Sequence, residues 1–379
     1  MSSNPYKSEV IGSLLRPQYL KDAMSKAQAG GMTTDELRAV QDRAALDAIA
    51  LQEACDLDIV TDGEVRRRGW TGPLTVSIAG YGTAPRPADY RVNWNRSDGP
   101  PPESTNGQAG QGEPGTVAAC IAKLTRGPVN LPLEEMRFLK QHTKRPWKIT
   151  LPSLAHASVF YVPGASDKVY PDKDDYMNDV RELTTQIVQE CIDEGATYVQ
   201  LDSPRYTHLV SEAGRENFRR LGIDPATWLG EVIAQDNALV DRFPGVTWGL
   251  HLCRGNGARG AWSVEGGYDP IAEQLFSDIH VDRLLLEYDT PRAGNFAPLR
   301  FVPKDKVAVL GLISTKENEV ETPELLRARI EEATRYIPLE QISLSPQCGF
   351  ASAFEGNMDE ATQRAKLEVL SATVKQIWS

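Results

Sequence analysis

The stretch Thr247-Trp-Gly-Leu-His-Leu-Cys253 shows most clearly the pattern that predicts the fold. Its body is apolar, and it ends in a histidine and a cysteine two residues apart. A strand that is buried on both faces has a continuous apolar run, whereas a half-exposed strand alternates apolar and polar residues. The stretch therefore predicts a buried strand of a parallel sheet, with chemically reactive side chains at its carboxyl end.

The same pattern recurs in seven other segments of the 379-residue chain. The eight predicted strands are residues 9–13, 59–64, 147–153, 198–204, 247–253, 283–288, 307–313 and 342–347. Amphipathic helical patterns lie between them, at residues 34–56, 174–194, 225–242, 322–336 and 359–377. Alternating strands and helices are typical of an α/β protein with a parallel sheet. Eight such units predict a closed (β/α)8 TIM barrel.

One region departs from this alternation. Residues 83–116, after the second predicted strand, are rich in proline and glycine and predict an extended loop or hairpin insertion. Their flanks, 74–78 and 117–124, are expected to pair as a hairpin beside the barrel. Long loops inside a compact domain are usually functional or mobile. Since no other segment has the composition of a linker between two domains, residues 1–379 are expected to form a single barrel domain.

The charge and the cysteine content exclude several classes of protein. A formal net charge of -11 repels nucleic acids and anionic membranes, so neither is an expected partner. The sequence has no long apolar run and no leader-like start, which predicts a cytoplasmic protein. The basic cluster Arg66-Arg67-Arg68 is interpreted as a solvated turn or a salt-bridged surface. Five irregularly spaced cysteines argue against a disulfide framework and leave metal binding open.

Three predicted strand ends carry side chains that bind soft metal ions. His251 and Cys253 are two residues apart and share one face of a strand. Glu287 ends an apolar run, and Cys348 follows the last strand and precedes a glycine. One nitrogen, two thiolates and a carboxylate suit tetrahedral zinc better than calcium or magnesium. Each residue alone also fits an ordinary core position, as Cys55, Cys120 and Cys191 do, so the zinc prediction depends on all four meeting.

The segments His251-Leu-Cys-Arg-Gly-Asn256, Leu286-Glu-Tyr-Asp289 and Ser345-Pro-Gln-Cys-Gly-Phe350 resemble motifs of the cobalamin-independent methionine synthase family. The similarity is greatest to the short, single-barrel members, and it extends from Ile11-Gly-Ser13 to the last helix. The resemblance implies a zinc-dependent methyltransferase that methylates a thiol, homocysteine in the best-known members. It also implies the zinc ligands His251, Cys253, Glu287 and Cys348.

The resemblance further implies how an amino-acid substrate is held. Ile11 and Ser13 would bind the substrate carboxylate, and Glu64 and Asp202 would bind its ammonium group. The chain departs from the family at Ser203, where a glutamate commonly follows the aspartate. It departs again at Lys316, which falls near a proton-donating histidine of the longer members and is a candidate proton donor here.

Several alternatives stay open at this point. The methyl donor could be 5-methyltetrahydrofolate, a methylcorrinoid or another small electrophile. The short barrels also resemble enzymes that open epoxides with the thiol of coenzyme M, whose sulfonate Arg16, Arg66, Arg254 or Arg259 could bind. A third hypothesis is a non-catalytic zinc-binding barrel. Acidic or basic groups at the far end of the thiol site would separate the first two hypotheses.

Overall fold

A parallel sheet of six strands lies at the centre of the fold, in the order β3-β4-β5-β6-β7-β8. The computed structural model describes residues 4–87, 94–96, 115–257, 260–352 and 354–378. Within these ranges the strands are β1 Ile78–Pro85, β2 Thr116–Arg126, β3 Ile149–Pro152, β4 Tyr198–Asp202, β5 Thr247–Leu252, β6 Arg283–Glu287, β7 Val307–Ile313 and β8 Ile342–Pro346. The six central strands confirm the last six predicted strands. The bounds of β7 are as predicted, and those of the other five are slightly shorter.

Only short 3-10 helices lie between β6 and β7, whereas α-helices lie before, after and between the other central strands. They are α1 Gln18–Gln28, α2 Thr34–Ala54, α3 Gly72–Thr75, α4 Leu131–His142, α5 Leu154–Ala157, α6 Lys173–Asp193, α7 Glu212–Arg220, α8 Pro225–Val240, α9 Asp269–Asp278, α10 Pro323–Ala333 and α11 Glu360–Trp378. The α2 helix begins at Thr34, as predicted, behind a capping box in which Thr33 and Glu36 each bind the other's backbone N–H. Among the described residues, every helix is too short or too polar to cross a membrane.

The first two predicted strands make single parallel bridges in place of strand ladders. Ser8 bridges Leu344 of β8, Glu9 bridges Ile59, and Val60 bridges Trp147 just before β3. The chain beyond Val60 soon turns, because Gly63 and Glu64 have φ angles of 73° and 54°. The residues 8–9 and 59–60 thus lie between β8 and β3, the two edge strands of the central sheet.

The predicted hairpin beside the sheet is present with different bounds. The β1 strand pairs antiparallel with β2, from Ile78 opposite Arg126 to Pro85 opposite Thr116. The predicted start of its first strand was wrong, because residues 72–75 form the α3 helix. Most of the predicted insertion, residues 88–93 and 97–114, lies outside the described residues. The short piece at 94–96 bridges Trp262 through Asn95.

A buried ionic cluster joins the amino ends of the central strands. The Glu9 carboxylate accepts hydrogen bonds from Arg283 at 2.8 Å and from Tyr198 at 3.0 Å, and also from Lys148. Burial alone would raise the pKa of Glu9, but Lys148 and Arg283 lower it to about 2. Tyr198 and Arg283 are the first residues of β4 and β6, so this cluster fixes the end of the sheet opposite to the carboxyl ends.

Candidate metal centre and substrate pocket

The carboxyl ends of three strands bring together the four predicted metal ligands. His251 lies in β5 and Cys253 directly after it, Glu287 ends β6, and Cys348 lies two residues beyond β8. Their nitrogen, sulfur and oxygen atoms all lie within 4.8 Å of one another. In the described part of the chain, this is the group of histidine, cysteine and acidic residues whose geometry suits a metal ion.

The geometry of the cluster fits zinc. The two sulfurs lie 3.6 Å apart, close to the roughly 3.8 Å that two Zn–S bonds of about 2.3 Å make at a tetrahedral angle. The His251 Nδ1 lies 3.2 Å from the Leu285 carbonyl oxygen. Its Nε2 is buried and has no hydrogen-bond partner among the described residues. A histidine that donates one N–H to a backbone carbonyl presents its other nitrogen as a metal ligand.

The two cysteines of the cluster differ in their electrostatics, because the hydrogen bond between them raises the pKa of the Cys253 thiol well above its usual value. A hydrogen bond from Cys253 lowers the pKa of the Cys348 thiol well below its usual value, although burial opposes this shift. The thiolate is the form that binds a metal ion. By contrast, burial raises the pKa values of Cys120 and Cys191. Cys55 and Cys191 are buried in the hydrophobic core, which confirms their interpretation as core residues.

Glu287 is fully buried, and both of its oxygens have protein partners. Its Oε1 accepts the backbone N–H of Arg254 at 2.7 Å. Its Oε2 accepts two hydrogen bonds from the Arg292 guanidinium, at 3.1 and 3.3 Å. Arg292 was not predicted as a site residue, because no motif in its neighbourhood marks it as a partner of Glu287.

A pair of buried carboxylates, Glu64 and Asp202, lies beside the metal centre. Asp202 ends β4 next to His251 of β5, with which it pairs in register. Burial raises the pKa of Asp202 to about 7, and the negative charge of Glu64 raises it further while His251 opposes. Gln200 donates hydrogen bonds to Asp202 Oδ1 at 2.6 Å and to the Ile11 carbonyl at 2.8 Å. Gln200 therefore joins two predicted substrate-binding residues, a role the sequence did not reveal.

Glu64 is held in an unusual backbone conformation. Its φ of 54° lies in the left-handed region, which costs a residue other than glycine on the order of 1 kcal/mol. Its Oε1 accepts a hydrogen bond from Thr150 at 2.8 Å and lies 3.2 Å from Arg67. Arg67 in turn binds Glu135 through two hydrogen bonds, of 2.7 and 2.6 Å. Such strain persists where surrounding contacts fix a side chain for function.

The segment Ile11-Gly-Ser13 packs directly against Cys348-Gly349. The Ser13 carbonyl accepts the Phe350 N–H at 2.6 Å. A Cβ atom at Gly349 would lie 2.8 Å from both the nitrogen and the hydroxyl of Ser13, so only glycine fits there. A Cβ at Gly12 would lie 3.8 Å from Glu64 Oε1. These contacts bring the predicted carboxylate-binding and ammonium-binding residues together at one side of the metal ligands.

Lys316 lies three residues after β7, at the same carboxyl end of the sheet as the predicted metal ligands. Its ammonium group donates to the Asn256 side chain and lies 3.4 Å from the Gly255 carbonyl. Burial lowers the pKa of Lys316, as does Arg292, while Glu287 and Cys348 oppose the shift. Asn256 also donates to the Gly349 carbonyl at 2.7 Å. Asn256 was missed as a site residue, although it ends the His251–Asn256 motif.

The arginines considered for a sulfonate have other roles. The Arg66-Arg67-Arg68 cluster was interpreted as a solvated turn or a salt-bridged surface. Arg66 and Arg67 are salt-bridged, to Asp42 and to Glu64 and Glu135, but they are buried and not solvated. Three of the four candidates donate to protein oxygens: Arg16 to the carbonyls of Ala351 and Arg67, Arg66 to Asp42, and Arg254 to the Gly266 carbonyl. Arg259 lies outside the described residues. Beside the predicted ligands lie the buried carboxylates Glu64 and Asp202, of which Glu64 is 3.2 Å from Arg67.

Comparison with known proteins gives relatives along nearly the whole chain. No protein-family model matches it. The chain is 35% identical to the uncharacterized protein YxjH of Bacillus subtilis over 381 residues, which covers 99% of this chain and 95% of YxjH. It is 33% identical to YxjG of the same organism, with the same coverage. It is 23% identical over 346 residues to a methionine synthase of Pyrococcus furiosus, covering 90% of this chain and 85% of that protein.

Solved structures with the same fold have related names. A putative vitamin-B12 independent methionine synthase from Listeria monocytogenes aligns with a TM-score of 0.72 and 26% identity, over 100% of both chains. A B12-independent methionine synthase from a Shewanella species, solved in complex with selenomethionine, aligns with a TM-score of 0.71 and 16% identity. That alignment covers 98% of this chain and 97% of the Shewanella chain, and it shows the fold alone.

Proposed function

Because the chain belongs to the short cobalamin-independent methionine synthase family, we propose that it is a zinc-dependent methyltransferase that converts homocysteine to methionine. One observation carries this proposal: a His-Cys-Glu-Cys ligand cluster and a buried pair of carboxylates adjoin at the same end of the sheet. The cluster suits a thiol, and the carboxylates suit an ammonium group. Homocysteine has both groups.

We also propose the finer architecture that the sequence predicts. The parallel bridges of Ser8, Glu9 and Val60 support a closed (β/α)8 barrel, because they link the two edge strands of the central sheet in sequence. They support a single domain over residues 1–379 for the same reason. A hairpin insertion at 83–116 is supported by the antiparallel pairing of β1 with β2 on either side of it.

The proposed roles follow from the contacts of each side chain. His251, Cys253, Glu287 and Cys348 would hold the zinc ion, which when bound supplies a Lewis acid that lowers the pKa of a substrate thiol. Glu64 and Asp202 would accept hydrogen bonds from the substrate ammonium group. The Ser13 hydroxyl and the backbone at Ile11 would bind its carboxylate. These residues fix the thiol at a set distance and direction from the methyl donor, which is a large source of catalysis.

Lys316 is the proposed proton donor. As the substrate sulfur forms its bond to the methyl carbon, the bond from that carbon to the donor breaks and its electron pair stays on the donor. With 5-methyltetrahydrofolate the pair stays on a ring nitrogen, which then takes a proton from the Lys316 ammonium group. The lowered pKa of Lys316 favours this proton transfer at neutral pH. A methylcorrinoid donor would need no such proton.

The buried carboxylates Glu64 and Asp202 favour this function over the two alternatives. The sulfonate of coenzyme M would meet Glu64 and Asp202, and like charges at short range are strongly unfavourable in a buried site. A purely structural zinc site would give no reason for a second, strained acidic site beside it. We therefore propose a small-molecule thiol with a cationic group as substrate, and a small methyl donor as partner.

The proposal is tested by product formation. Purified, zinc-loaded protein is incubated with homocysteine and either 5-methyltetrahydrofolate or a methylcorrinoid, and methionine is measured. We expect methionine with at least one donor. Alkylation of coenzyme M by an epoxide, without methylation of homocysteine by either donor, would replace the proposal with the epoxide-opening alternative.

We predict that Glu64→Gln raises the KM for homocysteine about 30- to 150-fold, since a charge-assisted hydrogen bond to a buried group contributes roughly 2–3 kcal/mol. The matched control is a substrate: 4-mercaptobutyrate has the same chain, thiol and carboxylate as homocysteine but no amino group. We expect its rate constants to change little in the variant. Equal losses on the two thiols would remove Glu64 from ammonium recognition.

A further inference from the structure

The partners of Glu287 suggest a function for Arg292 that the ligand set alone does not. Arg292 is nearly fully buried, with 6% of its side chain exposed. It donates to Glu287 Oε2 through both terminal nitrogens, at 3.1 and 3.3 Å. Since Arg254 N–H already occupies Oε1 at 2.7 Å, the carboxylate has donors on both oxygens. Any metal bond to Glu287 has to share an oxygen with one of them.

Most groups that hydrogen-bond to a metal ligand strengthen the bond between that ligand and the metal. A carboxylate or carbonyl that accepts the far N–H of a histidine makes that histidine more basic. A guanidinium on a carboxylate acts in the opposite sense, because it withdraws electron density and adds positive charge next to a cation. Arg292 is therefore placed to weaken the bond between Glu287 and a metal ion.

Arg292 can also release Glu287 without becoming an unpaired buried charge. It donates to Asp289 Oδ1 at 2.7 Å and to Gln347 Oε1 at 3.2 Å. Asp289 is itself fixed by the Ser314 hydroxyl at 3.0 Å. An uncompensated buried charge would be very costly, but Asp289 keeps Arg292 paired in either position of Glu287. The Glu287 carboxylate can therefore bind either Arg292 or a metal ion, and neither arrangement leaves Arg292 unpaired.

We propose that Arg292 competes with the metal ion for the Glu287 carboxylate, and that this keeps the single oxygen ligand of the centre exchangeable. This inference rests on the proposed zinc site and assigns a positioning role to a residue outside the ligand set. It implies that the centre binds zinc less tightly than the four ligands would allow, and that its oxygen ligand can leave. A lysine should largely replace Arg292, because the positive charge provides the competition.

The test is zinc affinity, measured by competition with a chromophoric chelator, for the wild type and for Arg292→Met and Arg292→Lys. We expect Arg292→Met to bind zinc about 10- to 100-fold more tightly, the equivalent of losing a charge-assisted hydrogen bond. Arg292→Lys should stay within a few-fold of the wild type. Arg329→Met is the matched control, since Arg329 donates nearby to the Tyr288 carbonyl at 3.2 Å.

Two results would overturn the inference. Weaker zinc binding in Arg292→Met would mean that Arg292 supports Glu287 as a ligand, and unchanged binding would mean that the contact has no effect. An independent readout is zinc X-ray absorption with homocysteine: oxygen should be lost from the wild-type shell and retained in Arg292→Met. If the wild type binds no zinc, the proposed function fails; if it binds zinc and the thiol but the variant behaves identically, only this inference fails.

Discussion

Replacing Cys348 with serine is expected to lower the affinity for zinc by about 100-fold or more and to abolish methyl transfer. Four ligands share roughly 10–16 kcal/mol in tight zinc sites, so one thiolate accounts for about 3 kcal/mol, or about two powers of ten. A serine hydroxyl is a poor substitute, because it stays protonated at neutral pH. The measurement is zinc content after dialysis against a weak chelator, together with methionine formation.

The control for this variant is Cys55→Ala. Cys55 follows α2 and is 3% exposed within the hydrophobic core, and burial raises the pKa of its thiol. We expect this variant to keep one zinc per chain and most of its activity, at some cost in stability. A Cys348→Ser protein that holds one zinc as tightly as the wild type would refute the ligand assignment.

Replacing Glu9 with glutamine is expected to reduce the free energy of unfolding by about 3–5 kcal/mol, because it leaves the Lys148 and Arg283 charges buried without their counter-ion. Glu9 is fully buried and binds both cations. The measurement is the midpoint of urea denaturation. Glu212→Gln is the control, since Glu212 is 67% exposed in its pairs with Arg215 and Arg219, and exposed pairs contribute at most about 1 kcal/mol.

The same carboxylate predicts how stability depends on pH. The pKa of Glu9 falls from an ordinary value of 4.5 to about 2 in the folded protein. Above pH 4.5 it is charged in both states, so its contribution is fully present. Below that, the unfolded chain takes up the proton first, and stability is lost as the pH falls from about 4.5 to about 2. Glu9→Gln should lack this part of the acid sensitivity, and an unchanged acid profile would contradict the role assigned to the cluster.

The sequence predicted the central sheet well because buried parallel strands carry a strong signal. The run 284–286 is continuously apolar, and each of its residues is buried in β6. The meeting of the four proposed ligands was also predictable, since they lie at strand ends, where the topology of a parallel sheet brings side chains together. The first two predicted strands, at 9–13 and 59–64, were predicted less well. In the structure, residues 8–9 and 59–60 form only single bridges.

The partners of the site residues could not be predicted in the same way. Arg67 and Glu135 are separated by 68 residues along the chain, and their pairing depends on how α4 packs beside β3. Arg292 lies five residues after Glu287, but only the turn after β6 brings its guanidinium back to the carboxylate. Local patterns identify which residues can react. The fold determines which charges surround them, and the proposed preference for homocysteine over an anionic thiol depends on these charges.

The most direct test of the central claim is the zinc-edge X-ray absorption spectrum of the protein with and without homocysteine. The four ligands predict a shell of two sulfurs and two nitrogen or oxygen atoms in the free protein. With homocysteine we predict three sulfurs, and with coenzyme M no change. A shell that homocysteine leaves unchanged would contradict thiol activation at this centre, and a shell without two sulfurs would contradict the ligand set itself.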